Sequence, residues 1–341
     1  MPDRQRVAED MTPGIRTASG VGAAAVILLA LVLAGCGGAS ATSHAMTPTQ
    51  ASAAFNTYNR NNAKANETLN IGLQNQNETG TSAQIDDADY QALKDQGKAT
   101  EGKYALMPKP YAIYPLNYAA ASLKKGGTEY FVATAGKTSS PYSAFLFAKT
   151  GTEGTWQVLY EPTMLAGTRL QFIANGGGYY SGGPLPKLVV SPSTALNDYV
   201  NYLNGYANPS TADLGPLAAG PKTTGFMTTY ANVCKSFKAK GPGLSCTLIF
   251  SEDSSPIVTL PVKGGALTFA AYDLGQYFGL PANAYAIQNA GRTNWSALLP
   301  PGRYHGGITE DSVVQVAMFI PTKGRVQVLG SYGGIVSALG S

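Results

Sequence analysis

Charge is what this chain has least of. Only 13% of its 341 residues are Asp, Glu, Lys or Arg, about half the usual share. The formal net charge of +4 is too dilute for a nucleic-acid partner, which needs a clustered basic face. The densest basic run, Lys235, Lys238 and Lys240, reads as the solvated end of a helix. Histidine is scarcer still, with His44 and His305 as the whole supply. With no H-E-x-x-H and no C-x-x-C, metal catalysis lacks its ligands. G-x-S-x-G is missing too, so a Ser–His mechanism has no nucleophile elbow. The glycine-rich stretch Gly176–Gly183 lacks the Lys-Ser/Thr ending of a phosphate loop. No cofactor and no metal are implied.

What is present begins with one apolar run. Residues 21–33 read VGAAAVILLALVL, too short to span a bilayer comfortably and of the length of a signal-peptide core. Arg16 is its positive flank, and a start at Met11 gives a leader of more usual length. The run closes on Leu33-Ala34-Gly35-Cys36, small residues before a cysteine, which looks like a bacterial lipobox. The expectation is a signal peptide over 1–35 and a diacylglyceryl group on Cys36. The chain is then held on the outer face of the cell membrane by lipid. Residues 36–46, small and polar, form a flexible stalk. Three Cys are present. With Cys36 lipidated, Cys234 and Cys246 remain, separated by a Gly241-Pro242-Gly243 turn. A helix, a tight turn and a strand would bring their thiols together as a disulfide.

The chain also repeats itself. Thr47-Pro48-Thr49-Gln50-Ala51 matches Ser191-Pro192-Ser193-Thr194-Ala195, and Phe55 and Tyr58 match Tyr199 and Tyr202 at the same offset. Thr47 and Ser191 suit an N-cap, and Pro48 and Pro192 suit the first helical position, which needs no N–H. Lys125-Gly126-Gly127 and Lys263-Gly264-Gly265 each feed a strand. Two hairpins follow, Ala144–Lys149 into Trp156–Tyr160 and Val313–Ile320 into Val326–Leu329. Trp156, Val158 and Tyr160 alternate to one face, as do Val314, Val316, Met318 and Ile320. The fold class is α+β: two duplicated units, each an N-terminal helix packed on a curved antiparallel sheet. The first unit covers 47–165 and the second 191–341. A turn-rich connection over 166–190 joins them, with Gln171–Ile173 and Leu188–Val190 as short strands.

These units resemble the cystatin-like cones of the nuclear transport factor 2-like superfamily. More narrowly, the mature chain resembles an actinobacterial lipoprotein family of unknown function. The lipobox, the helix over 47–66, Ile85-Asp86-Asp87-Ala88-Asp89-Tyr90, the hairpin ending Gly154-Thr155-Trp156 and the Leu185-Pro186 to Pro192 join carry that likeness. The resemblance implies a location and a fold, and brings no catalytic residues.

The second copy carries extra length over roughly 273–307. A plain reading makes Leu274–Leu280 a short helix closing the core, with Trp295 as a plug beneath it. A functional reading makes Tyr277, Trp295, Arg303 and His305 contacts for a ligand or partner, since aromatic and Arg residues dominate binding hot spots. The carboxylates Asp86, Asp87 and Asp89, Glu252-Asp253 and Glu310-Asp311 read as helix N-termini or turns. Asn77-Glu78-Thr79 matches a glycosylation sequon that a bacterial lipoprotein has little reason to use. The favoured function is a non-catalytic binding module of the cell envelope, taking a small apolar ligand or an envelope protein. The alternatives are an envelope hydrolase using paired carboxylates, or a structural component of an envelope complex.

Overall fold

The computed structural model describes residues 47–99, 112–117, 127–136, 139–151, 154–173, 180–181, 185–288 and 298–341. The leader, Cys36, the stalk and Trp295 lie outside the described residues. Five α-helices are seen among them: α1 (Pro48–Thr68), α2 (Ile71–Asn77), α3 (Gly80–Asp95), α4 (Pro192–Asn204) and α5 (Phe226–Lys238). Thr47 caps α1 through a reciprocal box. Its hydroxyl accepts from Gln50 N at 3.1 Å, and Gln50 Oε1 accepts from Thr47 N at 2.7 Å, which satisfies two otherwise orphaned donors. Ser191 caps α4 with its hydroxyl alone, accepting from Thr194 N at 3.1 Å. Phe55, Tyr58, Tyr199 and Tyr202 are all buried, as their helical spacing predicts. Lys235 and Lys238 close α5 in solvent, where positive charge suits a helix C-terminus.

The strands are β1 (Ala112–Asn117), β2 (Thr128–Ala135), β3 (Tyr142–Thr150), β4 (Gln157–Tyr160), β5 (Thr163–Met164), β6 (Tyr180–Ser181) and β7 (Ser245–Glu252). They continue with β8 (Val258–Val262), β9 (Gly265–Gly279), β10 (Ala286–Gln288), β11 (Gly302–Tyr304), β12 (Gly307–Pro321) and β13 (Gln327–Gly340). Eleven of them form one sheet, ordered β6-β1-β2-β3-β5-β13-β12-β9-β7, with β4 also on β3 and β8 also on β9. Every pairing is antiparallel except β1 with β6. β10 and β11 form a separate hairpin-like pair.

The sheet has two halves spliced by two residues. Thr163 and Met164 pair with β3 on one side and with Gly330 and Ser331 of β13 on the other. Alternation sorts the side chains into three cores. Phe131, Phe145 and Phe147 face α1, with Phe131 and Phe147 stacked at 4.3 Å. Leu248, Phe250, Tyr272, Val314, Val316, Met318 and Ile320 face α4 and α5. The opposite faces of both halves, including Val132, Leu146, Leu260, Phe269 and Ala317, meet in one shared core. The two half-sheets therefore lie back to back, with helices outside each. Helix α3 departs from this plan by sending Ile85 into the shared core. Each large side chain buried there contributes on the order of 1.5–3 kcal/mol.

The structure corrects four expectations. Leu274–Leu280 is not a short helix: β9 runs on to Gly279, paired to β7 and β12 along that whole stretch. Two ladders outweigh a local helical pattern that two glycines already weaken. Second, Val158 and Tyr160 do not share a face. The register shifts between Leu146 and Phe147, a bulge that turns Val158 toward α1 and Tyr160 into the shared core. Third, Asp86, Asp87 and Asp89 sit inside α3 rather than at its start, and Glu310 and Asp311 lie within β12 rather than in a turn. In the connection, Gln171–Ile173 supplies only a single bridge, Phe172 to Val262. Leu188–Val190 is no strand, although it packs on the core beneath α4.

Candidate functional site

The disulfide is formed: Cys234 of α5 is bonded to Cys246 of β7, with Cα atoms 5.1 Å apart. Gly243 makes the turn between them at φ +78°, a left-handed conformation that glycine adopts without strain.

The predicted contact residues are partly assembled. The Arg303 guanidinium lies 4.3 Å from the centre of the Tyr285 ring, and the His305 ring centre is 5.7 Å from the same ring. Tyr277 lies close by in sequence pairing, its hydroxyl donating to the Gly306 carbonyl at 3.0 Å. Tyr277, Tyr285, Arg303 and His305 are all exposed. A cation over an exposed ring contributes about 0.5–1 kcal/mol.

A concave site lies elsewhere, at the splice between the half-sheets. A groove of about 980 Å³ runs between the loop Leu165–Gln171, the turn Ala218–Thr223 and the starts of β9 and β13. Leu267, Phe319, Val328 and Leu329 supply its apolar wall. Among the described residues, Arg169 and Lys263 are the only charged ones in its lining, and none is a carboxylate. The sequence reading located the connection but missed the groove. The faint signal was an apolar turn, Leu165-Ala166-Gly167, followed by a lone Arg169.

Carboxylates gather in two other places. Asp273 of β9 sits beside Asp253 and Asp311, and its carboxyl is pushed up to about 6 by burial first and then by those two negative neighbours. Asp311 accepts from Ser337 Oγ at 2.7 Å and Asp253 from Ser255 N at 2.7 Å. Among the described residues, no group of three or more His, Cys, Asp or Glu is arranged to hold a metal ion.

The second gathering is buried beneath the N-terminal helices. Tyr58 of α1 points its hydroxyl at Glu78 Oε1, 3.0 Å away, and at Glu161 Oε2, 3.3 Å away. Glu78 is 1% exposed. Its carboxyl is raised well above the ordinary range by burial and then by Glu161. Gln315 of β12 ties the cluster to the sheet, accepting from Glu161 N at 2.6 Å and donating to Thr81 and Ser82 of α3 at 3.0 and 2.9 Å. Asp86 accepts from Gln74 at 2.8 Å and from the Tyr332 hydroxyl at 3.3 Å.

With these sites in view, comparison with known families gives one result. A family described as Domain of unknown function (DUF8094) matches residues 42–340. The chain belongs to the DUF8094 family. No curated protein and no solved structure matches it. In this DUF8094 chain, sequence reasoning singled out neither Glu78 nor Glu161. Glu78 drew notice only as the middle of a sequon, because Tyr58 lies 20 positions before it and Glu161 far after it, and nothing local marks their meeting.

Proposed function

We propose that this protein is a lipid-anchored, non-catalytic binding module on the outer face of the cell membrane, carrying a small apolar ligand. The anchor reading rests on the apolar run at 21–33 and the lipobox ending at Cys36. The Cys234–Cys246 disulfide supports it, since such bonds persist in oxidising compartments. Among the described residues, no helix is long and apolar enough to cross a membrane. In this reading the acyl chains on Cys36 supply the attachment. Two chains give stable anchoring where one is marginal.

The observation that carries the binding reading is the groove at the splice. Its volume falls in the range of small-molecule sites, and Leu267, Phe319, Val328 and Leu329 give it an apolar wall beside polar groups that include Gln171, Thr223 and Gln327. Arg169 and Lys263, with no carboxylate among the described lining residues, suit a ligand with an apolar body and one anionic group. We also read the fold as two copies of one cystatin-like plan. The matching caps at Thr47 and Ser191, and the helix-covered half-sheets set back to back, support that reading.

Native mass spectrometry of the soluble form, residues 37–341, purified from its host's envelope extract tests it. A retained small adduct is expected, and Ala219→Trp, which fills the groove from an exposed lining position, should lose it. A clean apo mass for the unsubstituted chain would sink the reading. One observation favours the hydrolase alternative: Asp253, Asp273 and Asp311 adjoin, and Asp273 titrates where a general acid works. Turnover of cell-wall polysaccharide that Asp273→Asn abolishes would establish that instead.

A further inference from the structure

The hydroxyl of Tyr58 has one hydrogen to give and two oxygens that want it. Glu78 Oε1 lies 3.0 Å away and Glu161 Oε2 3.3 Å away. The Asn62 amide already donates to the Tyr58 oxygen from 3.3 Å. If both carboxyls are ionised, one of their oxygens meets a lone pair with no hydrogen between. The other oxygen of Glu78, Oε2, is buried and has no hydrogen-bond partner among the described residues. An ionised carboxylate held like this costs several kcal/mol, so a group in such a place keeps its proton instead. The charges bearing on Glu78 do nothing to offset that cost: Glu161 from the segment after β4 and Asp87 from α3 are both negative. The Tyr332 hydroxyl of β13 also faces negative charge, from Asp86, Glu161, Glu78 and Asp89.

We propose that Glu78 and Glu161 share one proton through the Tyr58 hydroxyl, in addition to that hydroxyl's own hydrogen, and that its release as pH rises unlatches helices α1–α3 from the sheet. In the closed form Glu78 donates to Tyr58, and Tyr58 donates to Glu161. Glu161 is half-buried and is the end of this chain nearer to solvent. The proton leaves through it without opening the core. The latch is mechanical as well as electrostatic. Tyr58 is on α1, Glu78 ends α2, and Thr79 N, which opens α3, bonds Val158 O of β4 at 2.9 Å. Ionising Glu78 therefore strains the point where all three helices meet the sheet.

The sign follows from the raised carboxyl. Its contribution to stability is full below the ordinary glutamate value and is lost as pH climbs through the folded-state value. The experiment uses the purified chain, its Glu78→Gln and Glu161→Gln variants, infrared spectra, and thermal unfolding from pH 5 to pH 9. The wild type minus E78Q difference spectrum at neutral pH should contain the C=O band of a protonated carboxyl. E161Q should shift the loss of that band to lower pH, because it removes a repelling charge. The wild-type Tm should fall with pH more steeply than that of E78Q, and amides of α1–α3 should exchange faster at high pH after correction for intrinsic rates. An absent carboxyl band, or equal Tm slopes, would overturn the proposal. So would Ca2+ raising the wild-type Tm at pH 8 but not that of E78Q, which would make the cluster a cation site. Should E78Q fail to fold, titration of the band in wild type and E161Q still decides the question.

Discussion

Asp273 shows how much burial and like-charged neighbours matter in a chain this poor in charge. Its carboxyl rises to about 6 through burial and through Asp253 and Asp311. A raised carboxyl costs the folded state nothing while it is protonated in both states. The cost grows from the ordinary aspartate value upward and is complete above about 6. Asp273→Asn should therefore raise Tm near pH 8 and leave it nearly unchanged near pH 4. A gain at both pH values would assign the effect to packing rather than titration. Leu69 poses the opposite problem, a non-glycine residue at φ 47° closing α1. Its side chain is 1% exposed, and burial against Tyr90 and Leu93 offsets a backbone cost of about 1–2 kcal/mol.

At the scale of elements, the link between α5 and β7 is the most exposed to test. The disulfide closes a loop of sequence separation 12, which in the chain-entropy picture contributes about 3 kcal/mol. Cys234→Ser with Cys246→Ser should lower the free energy of unfolding in urea by about that much without changing the helix content by circular dichroism. An unchanged midpoint would mean that packing alone, such as Phe237 on Phe278 at 5.0 Å, holds α5 in place. Helix α1 depends on nothing comparable. Its cap and its aromatic pair, Phe55 and Tyr58, dock it on three phenylalanines, and for that reason its position was readable from spacing alone.

The whole molecule turns on the two-residue splice. Gly330 pairs with Met164 there, and a Cβ on it would stand 2.7 Å from Thr163 O and 2.8 Å from Met164 Sδ. Both distances are below any real contact, and the oxygen belongs to backbone that cannot step aside. Gly330→Ala should therefore destabilise the protein by about 1–3 kcal/mol, as overpacking does. The loss should be global, because the shared core couples the halves: Tyr160 of the first half donates to Pro256 O of the second at 2.7 Å. Urea unfolding followed separately by near-ultraviolet and far-ultraviolet circular dichroism checks this. Two separated transitions would show that the halves are independent.

The sequence by itself determined what depends on near neighbours. Thr47 and Ser191 cap because the donors they satisfy lie three residues on. Val314, Val316, Met318 and Ile320 share a face because a strand has a period of two. Cys234 and Cys246 meet because a glycine turn lies between them. Tertiary structure decided what depends on distant partners. It carried β9 on to Gly279, because two neighbouring strands were there to pair with it. It inserted a bulge that parts Val158 from Tyr160, because each had a different core to fill. It formed the groove where two halves join, and it buried Glu78 against Tyr58 and Glu161. Local pattern encodes which way a side chain points along its own element. Only the meeting of elements decides which water it loses, and the chemistry of the Glu78 cluster follows from that loss.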